Sequence, residues 1–167
     1  QTYTADTITI DCDNKYFRVK LNNSWNGLTL YNLYEKAYTP WNWQKRLKDY
    51  GERKGLVVFS SPFDETSVDF LSKLHVALYK VASYEITDLP LLRKIGSEQK
   101  PVILSRGMAS IYEIKEALRT LRNSGSKEIA VLHCISDYPA NPKDMNLKTI
   151  PNIVKRYIQP PHINPIT

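Results

Sequence analysis

The sequence is short of the features that mark several classes of protein. It has only two cysteines among 167 residues, Cys12 and Cys134, and they lie far apart in the chain. Such sparse cysteine excludes a disulfide-built scaffold and predicts two free thiols in a reducing, cytoplasmic compartment. No apolar run approaches the roughly 20 residues that a membrane-spanning helix needs, and no signal-like stretch opens the chain. We therefore expect a cytoplasmic protein without a membrane partner.

Dense blocks of one charge are missing as well, although the formal net charge is +6. Lysine and arginine are scattered over helix-like faces, as at Lys45, Arg46 and Lys48, and no aromatic-basic RNA-binding signature accompanies them. The charge therefore predicts ordinary solvated surface and no nucleic-acid partner. Hydrophobic residues make up 42% and charged residues 24% of the chain, which is typical of a folded globular protein rather than a disordered one.

Glycine-rich phosphate loops are absent too, yet a regular rhythm is present from about residue 40 onward. Four short apolar segments recur, at 56–60, 77–83, 101–105 and 129–134. Each is nearly continuous in aliphatic or aromatic residues, which is typical of strands buried on both faces of a parallel sheet. A doubly wound sheet and a (β/α)8 barrel both fit this alternation. Because no glycine-rich loop follows any segment, the barrel is favoured over a dinucleotide-binding sheet.

Helical patterns with recognisable ends separate the apolar segments. Asp64 and Asp88 are predicted N-caps, and Ser110 with Glu113 forms a predicted capping box whose helix ends at Gly125. A last helix is predicted to start near residue 144 or 146. The whole pattern predicts strand-helix alternation with right-handed crossovers.

The first part of the chain follows a different pattern. An amphipathic helix is predicted over 42–54, with Leu47 and Tyr50 facing inward. The residues before it show little periodicity, so we interpret 4–40 as a long loop insertion with a small hairpin near 8–21. An insertion of this length is often a lid or a binding loop.

Polar residues stand in or directly after each apolar segment, where a barrel gathers them at its carboxyl-terminal mouth. They are Ser60, Ser61, Lys80, Ser83, Ser105, His133, Ser136 and Tyr138. A lysine among several hydroxyls suits a phosphate or carboxylate ligand, because the ammonium supplies a point charge and the hydroxyls donate hydrogen bonds. A single serine at a strand end is often only a turn residue, but the same feature on four segments favours a site.

Lys80 and the histidines leave alternatives open. A lysine in an apolar strand is costly to bury without a partner, so Lys80 is expected to be either a Schiff-base nucleophile or a static anion anchor. His133 is either a satisfied core histidine or an acid-base or ligand group. His75, His133 and His162 show no spacing that marks a metal site. No metal-ligating residue is therefore assigned.

The wording of these segments resembles one family, the N-acylneuraminate (sialic acid) synthases, which include the pseudaminic and legionaminic acid synthases. The matching segments are QTYTADT at 1–7, FSSPFDETSVDFL at 59–71, YKVASYEITDLPLLRKI at 79–95, KPVILSRGMAS at 100–110 and HCISDYPANPKDMNLKTIP at 133–151. LYNLYEKAYTPWNWQ, at 30–44, is most similar to the pseudaminic acid branch. We therefore predict an α/β fold, a partial (β/α)8 TIM barrel over 1–167. The regular β/α repeats are predicted at 56–157 and a divergent tail at 158–167.

The resemblance also implies a reaction and a site. In the family, phosphoenolpyruvate condenses with an N-acetylated amino sugar to form a nonulosonic acid. Its C3 attacks the sugar aldehyde, polarised by a divalent metal (Mn2+ or Mg2+), water attacks C2, and phosphate leaves. By motif position, the expected phosphoenolpyruvate contacts are Ser61, Lys80, Ser83, Ser105 and Ser136. Gln1 and Tyr138 match positions that face the sugar. The resemblance implies that Lys80 is an anchor, not a Schiff base.

Departures from the family pattern set the expectations for activity. Arg106 stands where the family usually has Thr, beside the expected phosphate site, and Ser136 often replaces an Asn. The family's two metal-binding histidines lie beyond its sixth strand, and His162 does not match them. We therefore expect a barrel fragment that exposes strand edges and an apolar face. It should self-associate as a homo-oligomer or be inactive and poorly stable. The alternative is a truncated, non-catalytic remnant that at most binds phosphoenolpyruvate-like anions.

Overall fold

A parallel sheet forms the centre of the molecule. The computed structural model describes residues 1–20, 25–137 and 139–157. The sheet has the order β1-β2-β3 and consists of β1 (Tyr79–Val81), β2 (Val102–Ser105) and β3 (Ile129–Leu132). Lys80 is in register with Ile103, and Ile103 with Ala130. Three of the four predicted strands are therefore present and parallel, each somewhat shorter than its apolar segment.

Helices precede, connect and follow the strands. In chain order they are α1 (Ala5–Ile8), α2 (Leu30–Ala37), α3 (Trp41–Arg53), α4 (Glu65–Lys73), α5 (Leu89–Ser97), α6 (Ile111–Ser124) and α7 (Thr149–Tyr157). Short 3-10 turns lie at Glu85–Thr87 and Pro142–Asp144. Because α5 joins β1 to β2 and α6 joins β2 to β3, the predicted strand-helix alternation is confirmed. Within the described residues, no helix combines the length and apolar character needed to cross a bilayer.

The predicted helix caps are confirmed by their hydrogen bonds. The Asp64 carboxylate accepts from two backbone N–H groups in the first turn of α4, and Asp88 accepts from the N–H of Leu91 at 3.0 Å. Ser110 donates its backbone N–H to the Glu113 carboxylate at 2.7 Å, and the return bond completes the capping box of α6. Each cap satisfies donors that the first turn leaves unpaired and stabilises its helix by about 1 kcal/mol.

The core lies between the sheet and helices α4, α5 and α6. Strand side chains facing the helices are fully buried, as are Leu92 of α5 and Leu121 of α6. Burying such a leucine contributes roughly 1.5–3 kcal/mol. Gly96 allows α5 and α6 to pack closely, since a Cβ there would lie 2.5 Å from the Cβ of Ser124. The helix-facing side of the sheet is thus densely packed.

The predicted strand over 56–60 is wrong as a full strand. A single parallel bridge joins Ser60 to β1, and upstream of it Leu56 and Val57 are 62% and 65% exposed. The physical reason is that the segment lacks a neighbouring strand on its outer side among the described residues. Thr2 forms its parallel bridge with Pro62, which lies just after the segment. No other described strand covers its free edge. The expected open edge is therefore present.

The inward orientation predicted for Leu47 and Tyr50 is also wrong. Helix α3 forms close to the predicted 42–54, but these side chains are 54% and 58% exposed. Leu47 and the open-edge segment share a small cavity of about 170 Å³. The apolar face of α3 therefore points toward a region that the described chain does not fill, which gives the exposed apolar face that was expected.

Two other boundaries differ from the predictions. The segment interpreted as a loop carries helices α1 and α2, and its hairpin contact is an antiparallel bridge between Arg18 and Thr29, later than 8–21. The last helix starts at Thr149, because Asn146 adopts a left-handed φ of 45° that interrupts helical geometry before it. The predicted tail at 158–167 lies outside the described residues.

Candidate functional site

A cavity of about 510 Å³ lies where the carboxyl ends of the three strands meet. Its walls are formed by Gln1, Tyr3, Ile8, Tyr34, Phe63, Lys80, Ala82, Ser83, Tyr84, Glu85, Ser105, Leu132, Cys134 and Ile135. They come from residues 1–34, from Phe63, from the three strands and from the chain directly after β1 and β3. This is the edge of a parallel sheet at which ligands of barrel and open α/β proteins bind.

Three of the predicted anion contacts line this cavity together. Lys80 projects from β1 on the side of the sheet opposite the core, Ser83 follows the same strand, and Ser105 ends β2. Among the described residues Lys80 forms no ion pair within 4.0 Å, unlike several surface lysines. A half-buried ammonium without a carboxylate partner is costly, so this arrangement favours an anionic ligand.

Ser136 joins the group through Ser83. Their hydroxyl oxygens lie 3.3 Å apart, although one follows β1 and the other follows β3. Gly107 closes this gap from the chain after β2, where a Cβ would lie 2.5 Å from the Ser83 Cβ and 2.7 Å from the Ser136 oxygen. Its φ of 42° is also left-handed, a conformation that glycine adopts most readily. A side chain at position 107 would therefore push the two serines apart.

Glu85 is a further residue of the cavity wall. One of its carboxylate oxygens is buried and has no hydrogen-bond partner among the described residues. Burial raises the pKa of Glu85, with nearby Asp88 adding to the effect and Lys80 opposing it. Perturbed carboxyls in clefts are candidates for acid-base chemistry. The sequence signal was an acidic residue two positions after Ser83, which predicts a charge pair near the mouth and no acid-base role.

The remaining predicted site residues divide into three cases. Gln1 lines the cavity. Ser61 is buried, but it is not among the residues of the cavity wall, and its backbone carbonyl accepts from the Thr2 N–H at 2.8 Å. Tyr138 lies outside the described residues. The structure thus gathers Lys80, Ser83, Ser105, Ser136 and Gln1, and does not place Ser61 in the cavity wall.

His133 and Arg106 bind each other at the ends of the strands. Two guanidinium nitrogens of Arg106 lie 3.2 and 2.6 Å from His133 Nδ1. Because guanidinium nitrogens only donate, Nδ1 accepts, and Nε2 carries the ring hydrogen and donates to the Met145 carbonyl at 2.7 Å. Both ring nitrogens are occupied, which favours the interpretation of His133 as a satisfied structural histidine. Arg106 is likewise not a wall residue of the cavity.

Aromatic residues form the wall contributed by the amino-terminal segment. The Tyr3 ring meets Tyr34 and Phe63 edge to face, with centroids 5.6 and 5.5 Å apart. The carbonyl of Tyr3 accepts from the indole N–H of Trp41 at 3.1 Å. Edge-to-face pairs and a backbone anchor hold these rings in place. The cavity therefore has one polar, cationic side and one aromatic side.

A metal site does not emerge from the side chains present. In the part of the chain that the structure describes, no three His, Cys, Asp or Glu residues come together to hold a metal ion. His133 has no free nitrogen, and His162 lies outside the described residues. The donor set at this cavity, hydroxyls with one ammonium and one carboxyl, suits an organic anion better than a divalent cation.

Comparisons with known proteins identify the family and the relatives of this chain. A model of the NeuB family matches residues 1–161. The chain is 35% identical over 157 residues to a pseudaminic acid synthase of Campylobacter jejuni, covering 94% of this chain and 46% of that protein. It is 37% identical over 147 residues to a pseudaminic acid synthase of Helicobacter pylori, covering 88% and 43% respectively. The chain thus spans a little under half the length of these relatives.

A solved structure with the same fold supports the comparison. The N-acetylneuraminic acid (sialic acid) synthetase of Leptospira borgpetersenii aligns with a TM-score of 0.73 and 33% identity, covering 80% of this chain and 46% of that one. The predicted class, an α/β fold with parallel strands forming part of a TIM-type barrel, is confirmed.

Proposed function

We propose, on the premise that this chain belongs to the NeuB family, that its cavity binds phosphoenolpyruvate for condensation with an N-acetylated amino sugar. The product would be a nonulosonic acid of the pseudaminic or sialic acid type. The relatives named above are synthases of such acids. The observation that carries the proposal is the convergence of Lys80, Ser83 and Ser105 on one cavity, with Ser136 bonded to Ser83.

The polar side of the cavity offers the groups that a carboxylate or phosphate needs. Lys80 supplies a positive charge within a partly buried space, where an ion pair is stronger than in water. Ser83, Ser105 and Ser136 supply hydroxyl donors to anionic oxygens. Ser61, from the motif match, would act by holding the strand end that carries the site. The sialic acid synthetase of L. borgpetersenii was solved in complex with citrate, also a carboxylate anion.

Glu85 supplies the acid-base group in this proposal. Burial raises the pKa of Glu85, which favours the protonated carboxyl relative to that of an exposed glutamate. When C3 of phosphoenolpyruvate bonds to the aldehyde carbon, the protonated carboxyl gives its proton to the aldehyde oxygen. The resulting carboxylate then takes a proton from the water that adds to C2. The C2–O bond to phosphate then breaks as the new C2 hydroxyl becomes the ketone, and the proton of that hydroxyl leaves with the phosphate. Glu85 ends protonated, as it began.

The resemblance also implies a divalent metal, which would polarise the aldehyde in the longer relatives. The described residues do not fit this ion, because they bring together no ligand cluster. The proton transfers proposed for Glu85 therefore use only a side chain of this chain. We propose that the complete enzyme also requires Mn2+ or Mg2+. Gln1 and Tyr138 are proposed to face the sugar.

We also propose a cellular compartment and an oligomeric state for the protein. Cys12 and Cys134 are both free, as expected of thiols in the cytoplasm, where we place the protein. The open edge at 56–60 and the exposed apolar residues of α3 favour association of the chain with copies of itself. Completing the mouth in this way would also enclose the ligand.

Phosphoenolpyruvate binding tests the proposal directly. Isothermal titration of the full chain should give saturable binding that Lys80→Gln reduces by at least tenfold, because the variant loses the lysine ammonium from the cavity wall. Lys73→Gln, at an exposed site on α4, is the matched control and should bind like the wild type. Equal affinity of Lys80→Gln and Lys73→Gln for the anion would refute the site.

Activity separates the enzyme from the non-catalytic remnant. Phosphate release is measured with phosphoenolpyruvate, a diacetamido hexose and Mn2+. Release that needs all three reactants supports a working synthase, whereas anion binding without release supports the remnant. Borohydride in the presence of a carbonyl substrate would trap a Schiff base at Lys80, and the proposal expects no such adduct.

A further inference from the structure

The two sides of the cavity differ in chemistry, and the aromatic side has no role in holding an anion. Tyr3, Tyr34 and Phe63, with Ile8, face the cavity from the amino-terminal segment and the chain after residue 60. Lys80 and the serines line the strand side. A ligand that fills the cavity must therefore present charge to one wall and apolar groups to the other.

The aromatic wall is held in place before any ligand arrives. Tyr3 is buried, and its ring packs against Tyr34 and Phe63. Its carbonyl accepts from Trp41, whose indole in turn packs against Phe70 at a centroid distance of 4.7 Å, with the rings tilted by 33°. A surface fixed in this way loses little side-chain freedom when it binds, which is the requirement for discriminating between small substituents.

The phenol groups add polar character at the edge of this wall. Burial and the nearby Tyr34 phenol raise the pKa of Tyr3, so its hydroxyl stays protonated and can donate to an acceptor. No described residue hydrogen-bonds the Tyr3 or Tyr34 hydroxyl. Aromatic faces beside free hydroxyls suit a carbohydrate that carries both methyl groups and oxygens.

We propose that Tyr3, Tyr34 and Phe63 form a subsite for the methyl groups of the amino sugar, which rests on the proposed function and adds a specificity to it. The methyl group can come from an acetamido substituent or from the terminal carbon of a 6-deoxy sugar. In either case it packs against the rings, while the phenol hydroxyls face the sugar oxygens. The subsite selects methyl-bearing amino sugars over hexoses that carry only hydroxyls.

The subsite is tested by comparing sugars in the presence of phosphoenolpyruvate. N-acetylmannosamine, mannose and the 6-deoxy hexose rhamnose are titrated into the full chain. The wild type should bind at least one methyl-bearing sugar about tenfold more tightly than mannose, the lower end of the discrimination that one apolar group provides. N-acetylmannosamine and rhamnose separate the two sources of the methyl group. Equal affinity for all three sugars overturns the subsite.

Tyr34→Ser is the variant that tests the wall itself. Tyr34 lies on the short helix α2 and is only partly buried, so its removal should leave the core intact. The variant should lose the preference for methyl-bearing sugars and keep the phosphoenolpyruvate affinity of the wild type. Tyr16→Ser is the control, because Tyr16 lies in the same segment and is 77% exposed. A preference unchanged in Tyr34→Ser overturns the subsite.

Saturation-transfer NMR on the unaltered protein gives an independent reading. Protein protons irradiated in the aromatic region should transfer saturation most strongly to the sugar methyl protons. Even transfer over the whole sugar contradicts the subsite. Failure of the wild type to bind phosphoenolpyruvate is a different result, because it refutes the proposed function and the subsite with it. Phosphoenolpyruvate binding with no sugar discrimination refutes the subsite alone.

Discussion

Arg106 donates two hydrogen bonds to a single nitrogen of His133, and this pairing keeps the guanidinium out of the cavity wall. From the sequence, a bulky cation beside the phosphate site was expected. The hydrogen bonds instead connect the chain after β2 to the chain after β3. His133 in turn donates a hydrogen bond to the carbonyl of Met145. Arg106 therefore has a structural role at a position where the family resemblance led us to expect a threonine.

Replacing Arg106 should affect stability more than anion binding. In Arg106→Thr, His133 Nδ1 loses its donors in a partly buried position, so we expect the free energy of unfolding to fall by about 1–3 kcal/mol. Phosphoenolpyruvate affinity should change less than threefold, because the guanidinium is not a wall residue of the cavity. Urea unfolding and titration calorimetry measure the two effects. A tenfold loss of affinity in a folded variant would return Arg106 to the binding site.

Gly107→Ala should disturb the paired serines. The new Cβ would lie 2.5 Å from Ser83 and 2.7 Å from the Ser136 hydroxyl, so the two hydroxyls must separate. We expect a destabilisation of about 1–3 kcal/mol from clash and strain and at least tenfold weaker phosphoenolpyruvate binding.

Gly55→Ala is the matched control for this change. Gly55 also has a positive φ, 79°, but nothing lies within 4 Å of its added Cβ. It should therefore cost stability through backbone strain alone and leave anion affinity unchanged. Loss of affinity in both variants would point to general unfolding rather than to the serine pair.

Glu85 should make stability depend on pH in the direction opposite to an ordinary ion-paired glutamate. Its pKa is raised above the usual 4.5 in the folded protein, so the native state binds the proton more tightly than the unfolded state. The stabilising effect is complete below pH 4.5 and is lost as the pH rises through the folded value. We expect Glu85→Gln to gain stability relative to the wild type between pH 4 and pH 7.

Chemical denaturation at several pH values measures this difference. Glu35→Gln, at an exposed position of α2, should keep a constant offset from the wild type over the same range. A Glu85→Gln offset that is equally flat would mean that burial does not disfavour the Glu85 carboxylate.

The open edge should control self-association. Val57→Lys places a charge on the exposed edge segment, and charged residues on sheet edges oppose pairing with other chains. We expect the wild type to elute as an oligomer in size-exclusion chromatography with light scattering, and the variant to shift toward the monomer. Ile10→Lys, at another exposed apolar position, should not shift. A wild type that is monomeric at every concentration would contradict the association.

Local sequence signals predicted those parts of the fold that depend on neighbouring residues. The caps at Asp64, Asp88 and Ser110 could be recognised because a short side chain and the next turn of the helix satisfy each other. Apolar segments identified β1, β2 and β3 for a similar reason. The exposure of Leu47 and Leu56 could not be predicted, because the burial of these side chains depends on whether another strand covers them. The described chain supplies no such strand.

The site was predicted in part for a related reason. Lys80, Ser83 and Ser105 stand at strand ends, and parallel strands bring their ends to one edge. Glu85 was predicted to form a charge pair near the mouth, but not to bury an unpaired oxygen. That burial and the aromatic wall arise only when distant segments meet, as Tyr3 meets Phe63 from much later in the chain. Ser61 shows that a matching motif is not sufficient for such a prediction. Its position matches a phosphoenolpyruvate contact in the family motif, but Ser61 is not among the residues of the cavity wall.

Because Ser83, Ser105 and Ser136 belong to three successive strand-helix units, the proposed anion site has a consequence for how the protein folds. Each unit can form its local contacts separately, but the 3.3 Å approach of Ser83 to Ser136 spans 53 residues and requires both crossovers to be closed. Such non-local contacts form late and slow the folding of parallel sheets. Phosphoenolpyruvate binding during refolding should therefore lag behind the recovery of helical circular dichroism, and would report the moment at which the last unit docks.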